Sequence, residues 1–330
     1  MVNLKDIKIC TIGGGTGNST ILKGLKKYTK NITAIVTVAD DGGSSGMLRE
    51  DLKIIPPGDI RACLIALANT EKSMEKLMKY RFKEGNLKGQ SFGNLFLVAM
   101  ADIYKDFVNG IKETSNILAI TGKVLPVSLD NITLFAELED KTIIEGESNI
   151  ALLNKNNKKI KRVFVSPEYV EPLDEVVYEI LNSDIIVLGP GSLYTSIIPN
   201  LLISNIAFAL KKTKAKIYYV LNIMTEPAET YNYSVLEHIQ AILNHCNGLK
   251  IDTIVVNNEK ISSNLEQRYN KFNSRQILLT NYEKNYIKDM KINIIEENLL
   301  KKSSYYVKHN ENNLAKVIYD DYIKYINVVD

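Results

Sequence analysis

The chain has 330 residues, 45% hydrophobic and 24% charged, long enough for one large α/β domain or one domain with a sizeable insertion. Its 41 Lys+Arg against 38 Asp+Glu leave a formal net charge of +3, which gives no electrostatic footprint for nucleic acid or an anionic membrane. No stretch approaches the ~20 apolar residues of a membrane span, and residues 1–6 lack the apolar region of a signal peptide, so the expectation is a cytoplasmic protein.

A short apolar strand over 7–12 runs into Gly13-Gly14-Gly15-Thr16-Gly17-Asn18-Ser19. A strand that turns at once into a helix needs residues without a Cβ, and the amides of such a turn suit an anion, so this loop is a candidate phosphate cradle. The helix expected over 18–28 has Leu22 and Leu25 on one face and Lys23, Lys26 and Lys27 on the other. No Lys-Ser/Thr pair closes the glycine run, which excludes an NTPase phosphate loop. Asp40 ends the next strand, as the ribose-binding acid of a dinucleotide site would, yet such a site does not need Asp40-Asp41-Gly42-Gly43-Ser44-Ser45-Gly46. A purely structural tight turn stays open, although two such loops favour binding.

Further on, Pro56-Pro57-Gly58-Asp59-Ile60-Arg61 stops one element and starts a helix marked by Ile60, Leu64, Ile65 and Leu67. Asp59 is its natural N-cap, and beside Arg61 it also offers a metal-binding carboxylate next to an anion-binding guanidinium. Helices are expected over 72–83, from the Ser91-Phe92-Gly93-Asn94 turn to about 104, and over 110–118; Asn94 is either a cap or a ligand contact. Residues 122–170 read as a β-rich insertion, with a charged turn at Glu139-Asp140-Lys141 and a lysine and asparagine run at 154–161 taken as a solvated hairpin tip. The insertion could form a subdomain of about 70–170 within a single 1–330 domain.

Order returns with a helix over 172–181 and the unbroken apolar run 184–188, as in a parallel strand covered on both faces. It exits into Gly189-Pro190-Gly191-Ser192-Leu193-Tyr194-Thr195-Ser196. The layout repeats: helix 201–211, strand 216–221 exiting into Asn222-Ile223-Met224-Thr225, helix 234–245, strand 253–256, a less regular tail, and a last helix over 313–326. Strands alternating with helices give a Rossmann-like three-layer α/β fold with a mostly parallel sheet. The loops at Gly13, Asp40, Gly189 and Asn222 should then converge at one sheet edge, where ligands bind. Cys10, Cys63 and Cys246 read as inert buried thiols, and His238, His245 and His309 form no zinc pattern.

These five ordered motifs, including Gly189 through Leu201, together resemble the bacterial gluconeogenesis factor family, a branch of the superfamily typified by the 2-phospho-L-lactate transferase of coenzyme F420 biosynthesis. The resemblance implies a nucleotide or nucleotide-sugar ligand such as UDP-N-acetylglucosamine, and roles in cell shape and cell-wall synthesis during gluconeogenic growth. The transferase branch instead moves a phospholactyl group from a guanosine diphosphate-linked donor to a deazaflavin with Mg²⁺. Three positions depart from the pattern: Gln90 where a His is common, Met47 where an Arg is usual, and Ala228 where a Gly follows the proline. Near the C-terminus, Val307-Lys308-His309-Asn310 is similar to the family's Val-Arg-His-Asp, with Lys308 losing the bidentate fork of the Arg, and Tyr269 matches a Glu-Arg-Tyr-like segment of the family.

The expected ligand set is therefore Gly13, Gly14, Gly15, Thr16, Gly17, Asn18, Ser44, Ser45, Arg61, Asn94, Gly189, Pro190, Gly191, Ser192, Thr195, Asn222, Thr225, Tyr269 and Lys308. Asp40, Asp41 and Asp59 are the expected Mg²⁺ ligands, with Asp59 the one catalytic candidate; no flavin or NAD is expected as a tightly bound cofactor. Homo-oligomerisation stays open. The motifs offer no group whose ordinary pKa lies near neutrality, which inclines the reading towards binding over group transfer.

Overall fold

The computed structural model describes residues 6–329, so the expectation about a signal peptide falls mostly outside the described residues. The chain opens with β1 (Ile9–Gly13), α1 (Gly15–Leu25), β2 (Ile32–Val36), α2 (Gly43–Leu52), α3 (Gly58–Leu67), α4 (Lys72–Met78), α5 (Phe92–Ile103), α6 (Phe107–Ile117) and β3 (Lys123–Pro126). A small excursion follows: β4 (Thr133–Leu138), β5 (Ile143–Glu145), α7 (Glu147–Leu153) and β6 (Ile160–Ser166). The second half contains α8 (Asp174–Asn182), β7 (Ile185–Leu188), a π-helical turn (Leu193–Ile197), α9 (Ile198–Leu201), α10 (Ser204–Lys212), β8 (Lys216–Val220) and α11 (Val235–His245). It ends with β9 (Thr253–Asn257), α12 (Ser263–Asn270), α13 (Asn281–Asp289), β10 (Asn293–Glu297) and α14 (Glu311–Val329).

Seven strands form one sheet in the order β10-β9-β8-β7-β1-β2-β3, and every pairing in it is parallel. Consecutive residues of β1, β2, β7, β8 and β9 are all buried, which requires cover on both faces and explains why these strands are apolar on both sides. α1 lies against α3 and α14, and α8 against α10. The chain grows outward from β1 through β2 to β3, then returns to place β7 on the other side of β1. That reversal is a topological switch point, where neighbouring strands send their loops apart and leave a crevice.

The β-rich segment differs in detail from its sequence reading. β3 belongs to the main sheet, and the small antiparallel sheet β5-β4-β6 covers only 133–166. Its inward residues, including Leu134, Ala136, Ile144 and Val163, join the same buried cluster as β1. The 154–161 run is no solvated tip at its start: Asn154 is buried, and its amide donates to the Lys158 and Ala228 carbonyls at 2.8 and 2.7 Å. The helix expected over 72–83 stops at Met78, after which the chain doubles back through an Arg81–Ser91 bridge.

Among the described residues no single helix is long and apolar enough to cross a membrane. The pair Leu193–Leu201 and Ser204–Lys212 passes by length and composition but bends by 78°, and Ile197, Ile198, Leu201 and Ile206 within it are buried.

Candidate functional site

A cavity of about 720 Å³ opens at the carboxyl edge of the sheet, over the β1/β7 switch point. Its floor carries Gly15, Thr16 and Gly17 from the first loop, Asp40 from the second, Pro190 through Ser192 from the third, and Asn222 through Glu226 from the fourth. Loops that span the chain thus meet because parallel strands all exit on one side. The rim is built from the tail: Arg268, Tyr269, Phe272, Tyr305, Tyr306 and Lys308.

The glycines of the first loop have a structural reason independent of any ligand. A Cβ at Gly14 would lie 2.6 Å from Asp59 Oδ2 and 2.8 Å from Ser196 Oγ, and one at Gly15 would fall on Asp59 Oδ1. Asp59 accepts a hydrogen bond from the Gly15 amide, so it caps α1 from a neighbouring helix. At Gly17 a Cβ would strike the Pro190 carbonyl, which seals the β1 and β7 exits together. Part of the expected cradle is therefore filled by the protein's own carboxylate.

Of the expected ligand set, Gly15, Thr16, Gly17, Pro190, Gly191, Ser192, Thr195, Asn222, Thr225, Tyr269 and Lys308 line this cavity. Gly13, Gly14 and Gly189 shape the loops without lining it, and Asn18 is fully buried with neither amide atom partnered. Ser44, Ser45, Arg61 and Asn94 line instead a smaller chamber of about 170 Å³, which shares Gly15, Thr16, Asp40 and Asp59 with the main one. Lys308 places its Nζ 5.2 Å from the centre of the Tyr306 ring, and the Tyr269 hydroxyl accepts from the Val307 amide at 2.9 Å. The two residues thus belong to one strap over the cavity.

The expected trio of acids is not assembled. Asp41 turns its carboxylate onto the start of α7, accepting from the Glu147 and Ser148 amides at 3.0 and 2.8 Å, because an uncapped helix N-terminus attracts the nearest carboxylate. Among the described residues no group of three or more His, Cys, Asp or Glu is arranged to hold a metal ion. Asp40 and Asp59 remain together on the wall of both chambers.

Two glutamates outside the expected set complete the floor, and a third backs them. Glu147 reaches the cavity from the small sheet's helix, and Glu226 from the β8 exit. Behind them Glu229 accepts from the Thr195 hydroxyl at 3.2 Å and the Tyr194 amide at 3.3 Å. Glu226 accepts from the Ser192 hydroxyl at 3.1 Å, while its Oε2 is enclosed without a partner. Burial raises Asp59 to about 6, with the Asp40 charge adding to the rise and the Gly15 amide opposing it. Burial, then repulsion from Asp40, Asp41 and Asp59, raises Glu147 to about 7, and burial raises Glu226 to about 7. Glu229 is pushed well up by burial and by Glu226. The absence of near-neutral acids expected from ordinary pKa values is thereby corrected: desolvation moves carboxylates into that range. The signal in the sequence was the pair of acids in Thr225-Glu226-Pro227-Ala228-Glu229 at a strand exit; nothing local marks Glu147.

The departures from the family pattern also find places. Gln90 and Met47 touch each other, Gln90 Nε2 lying 3.7 Å from the Met47 sulfur, while Gln90 Oε1 accepts from the Ser44 hydroxyl at 2.7 Å. Ala228 has φ +68°, a left-handed conformation in which glycine is at ease.

A parallel main sheet with a cavity over its switch point defines an α/β protein whose ligand crevice lies at the carboxyl ends of its strands. The family model described as 2-phospho-L-lactate transferase CofD matches residues 9–300. A protein of Thermoanaerobacterium thermosulfurigenes is 50% identical over 313 residues, covering 94% of this chain and 95% of its own. The gluconeogenesis factor of Bacillus subtilis is 43% identical over 314 residues, covering 95% and 97%. The crystal structure of a UPF0052 family member from Bacillus halodurans superposes with a TM-score of 0.90 at 43% identity, over 95% of this chain and 99% of that one. The chain belongs to the gluconeogenesis factor family, within the wider CofD family.

Proposed function

We propose that the main cavity binds a nucleotide sugar of the UDP-N-acetylglucosamine kind, and that this binding serves the control of cell shape and cell-wall synthesis under gluconeogenic growth. The observation that carries the reading is the cavity's division of labour. Tyr269, Phe272, Tyr305 and Tyr306 offer faces for a base at the rim, Lys308 and Arg268 offer charge for a diphosphate, and the hydroxyls of Thr16, Ser192, Thr195 and Thr225 offer partners for a sugar. The volume of about 720 Å³ suits a ligand of that size.

Mg²⁺ fits two of the three expected acids. Asp40 adds to the upward shift of Asp59, and that repulsion is what a divalent cation relieves. Asp40 and Asp59 would hold the ion, in keeping with the one or two carboxylates Mg²⁺ takes beside phosphate oxygens. When bound, it would neutralise the diphosphate.

The transferase reading gains one specific support: Glu147 and Glu226, which are not among the acids that would hold Mg²⁺, stand at about 7 and are matched to proton transfer at neutral pH. Calorimetry with UDP-N-acetylglucosamine and with GDP, each with and without Mg²⁺, tests the first reading; we expect the uridine sugar to bind and Mg²⁺ to tighten it. Equal, weak binding of both would remove it. Release of UDP from the sugar nucleotide, or of GMP from a guanosine diphosphate-linked phospholactate with a deazaflavin present, would establish catalysis instead.

A further inference from the structure

The smaller chamber has a chemistry of its own. Arg61 and Arg81 both line it, and neither forms an ion pair among the described residues. One Arg61 nitrogen donates to the Ser91 hydroxyl and Arg81 donates to the Gly89 carbonyl, but Arg61 Nε is enclosed without a partner. Asp40 and Asp59 on the same wall offset part of this charge but pair with neither guanidinium, so an anion lying between the two arginines would still be favoured. The start of α2 faces the same space through Gly43, Ser44 and Ser45; Asp40 accepts from the Gly42 amide at 3.0 Å, and the first turn itself holds no acid.

A second observation is independent of charge. Asn94 is 1% exposed, and its Oδ1 has no partner, while its Nδ2 donates to the Ser44 hydroxyl at 3.0 Å. Ser44 cannot relieve it: that hydroxyl also accepts from the Ser91 amide at 3.1 Å and gives its one proton to Gln90. A buried acceptor beside two cations calls for a ligand that carries a donor next to its negative charge.

We propose that this chamber, which adjoins the nucleotide cavity through Gly15, Thr16, Asp40 and Asp59, is a second anion subsite for a small hydroxylated acid. Its carboxylate or phosphate lies between Arg61 and Arg81 at the start of α2, and its hydroxyl donates to Asn94 Oδ1. Asp40 and Asp59 on the shared wall disfavour a bare polyanion and leave room for further hydroxyls, and about 170 Å³ limits the ligand to a few carbons. The subsite does not depend on which nucleotide fills the main cavity.

Calorimetry with glycerol 3-phosphate and with glycerate separates the two anion types, and propyl phosphate and propionate are the same anions without hydroxyls. We expect one hydroxylated probe to bind at millimolar concentration, about tenfold tighter than its hydroxyl-free counterpart. Arg81→Gln, at an exposed side chain, should weaken that probe about tenfold and leave uridine nucleotide affinity unchanged; Lys308→Ala should do the reverse. No binding of any probe, unchanged binding in Arg81→Gln, or equal affinity for the hydroxyl-free probes would overturn the proposal. Loss of the probe in Lys308→Ala would place it in the main cavity and also overturn it, without touching the nucleotide reading.

Discussion

The floor and the rim of the main cavity are built on opposite principles. The floor consists of strand exits locked by backbone contact: Asp59 seated on Gly14 and Gly15, Gly17 against Pro190, and the Asn222 amide exchanging hydrogen bonds with Gly191 at 2.9 and 3.1 Å. The rim consists of side chains on the tail, with Phe272 67% and Tyr305 73% exposed. A floor of this kind has one arrangement, tolerates no added atoms and carries buried carboxylates whose charge is costly. A rim of exposed aromatics can be altered at little cost to the fold, so ligand choice is free to vary there. The comparison predicts that floor changes act first on stability and rim changes on affinity.

The largest effect should come from Gly17→Ala. Its Cβ would meet a backbone carbonyl that cannot rotate away, so we expect a loss of about 3 kcal/mol or more, read as a fall in Tm or as insoluble protein. Gly15→Val would instead push the Asp59 carboxylate off the start of α1, so a change in binding there would not by itself report on ligand placement. Phe272→Ala is the contrast: Tm within a degree or two of the parent, with uridine nucleotide affinity reduced about fivefold to tenfold. A rim variant that unfolds the protein, or Gly17→Ala at full stability, would break the distinction.

Next in size is pH. Asp59 at about 6 and Glu147 and Glu226 at about 7 bind protons more tightly in the folded chain than in the unfolded one. Their stabilising contribution is fully present below the unfolded carboxylate pKa of about 4 and is lost as pH rises through 6 to 7, once the buried groups must ionise. The ligand-free protein should therefore lose Tm between pH 5 and pH 8. Glu226→Gln should flatten that slope, and Mg²⁺ should raise Tm more at pH 8 than at pH 5. A Tm that rises over this interval by the same amount in parent and variant would show that Glu226 is not protonated when folded.

This division also governs what could be read in the sequence. Unbroken apolar runs at 185–188 and 217–221 mark doubly covered strands, and glycine or hydroxyl loops at their ends mark the floor. β10 escaped because an edge strand with three half-buried residues, ending in Glu296 and Glu297, has no such run. α2 escaped because Gly43-Ser44-Ser45-Gly46 gives little helix propensity and the helix is set by its surroundings. Asp41 could not be told from Asp40, since only the tertiary position of α7 decides which carboxylate caps it. Tyr269 and Lys308 came from the family resemblance alone. Phe272, Tyr305 and Tyr306 carry no periodic signal and were missed.

The smallest effect tests the floor where it meets the small sheet. Ala228 sits at φ +68°, a conformation that costs a residue with a Cβ roughly 1 kcal/mol. It is held there from both sides: its amide donates to Asn157 Oδ1 at 2.7 Å, and its carbonyl accepts from Asn154 Nδ2 at 2.7 Å. These bonds tie the Glu226–Glu229 turn to the loop after α7, so the asparagines of a run that looks like solvated sequence fix the position of two buried acids. Ala228→Gly relieves the strain but frees the unfolded chain, terms of opposite sign and similar size, so we expect a gain of only about 0.5 kcal/mol. Asn154→Ala removes the anchor and leaves the Ala228 carbonyl unpaired, and should cost about 1 to 3 kcal/mol. The two changes made together should fall short of additivity, because a glycine turn can relax once its anchor is gone. Denaturant melts of the four proteins measure this coupling, and strict additivity would mean that the turn keeps its shape without the asparagine.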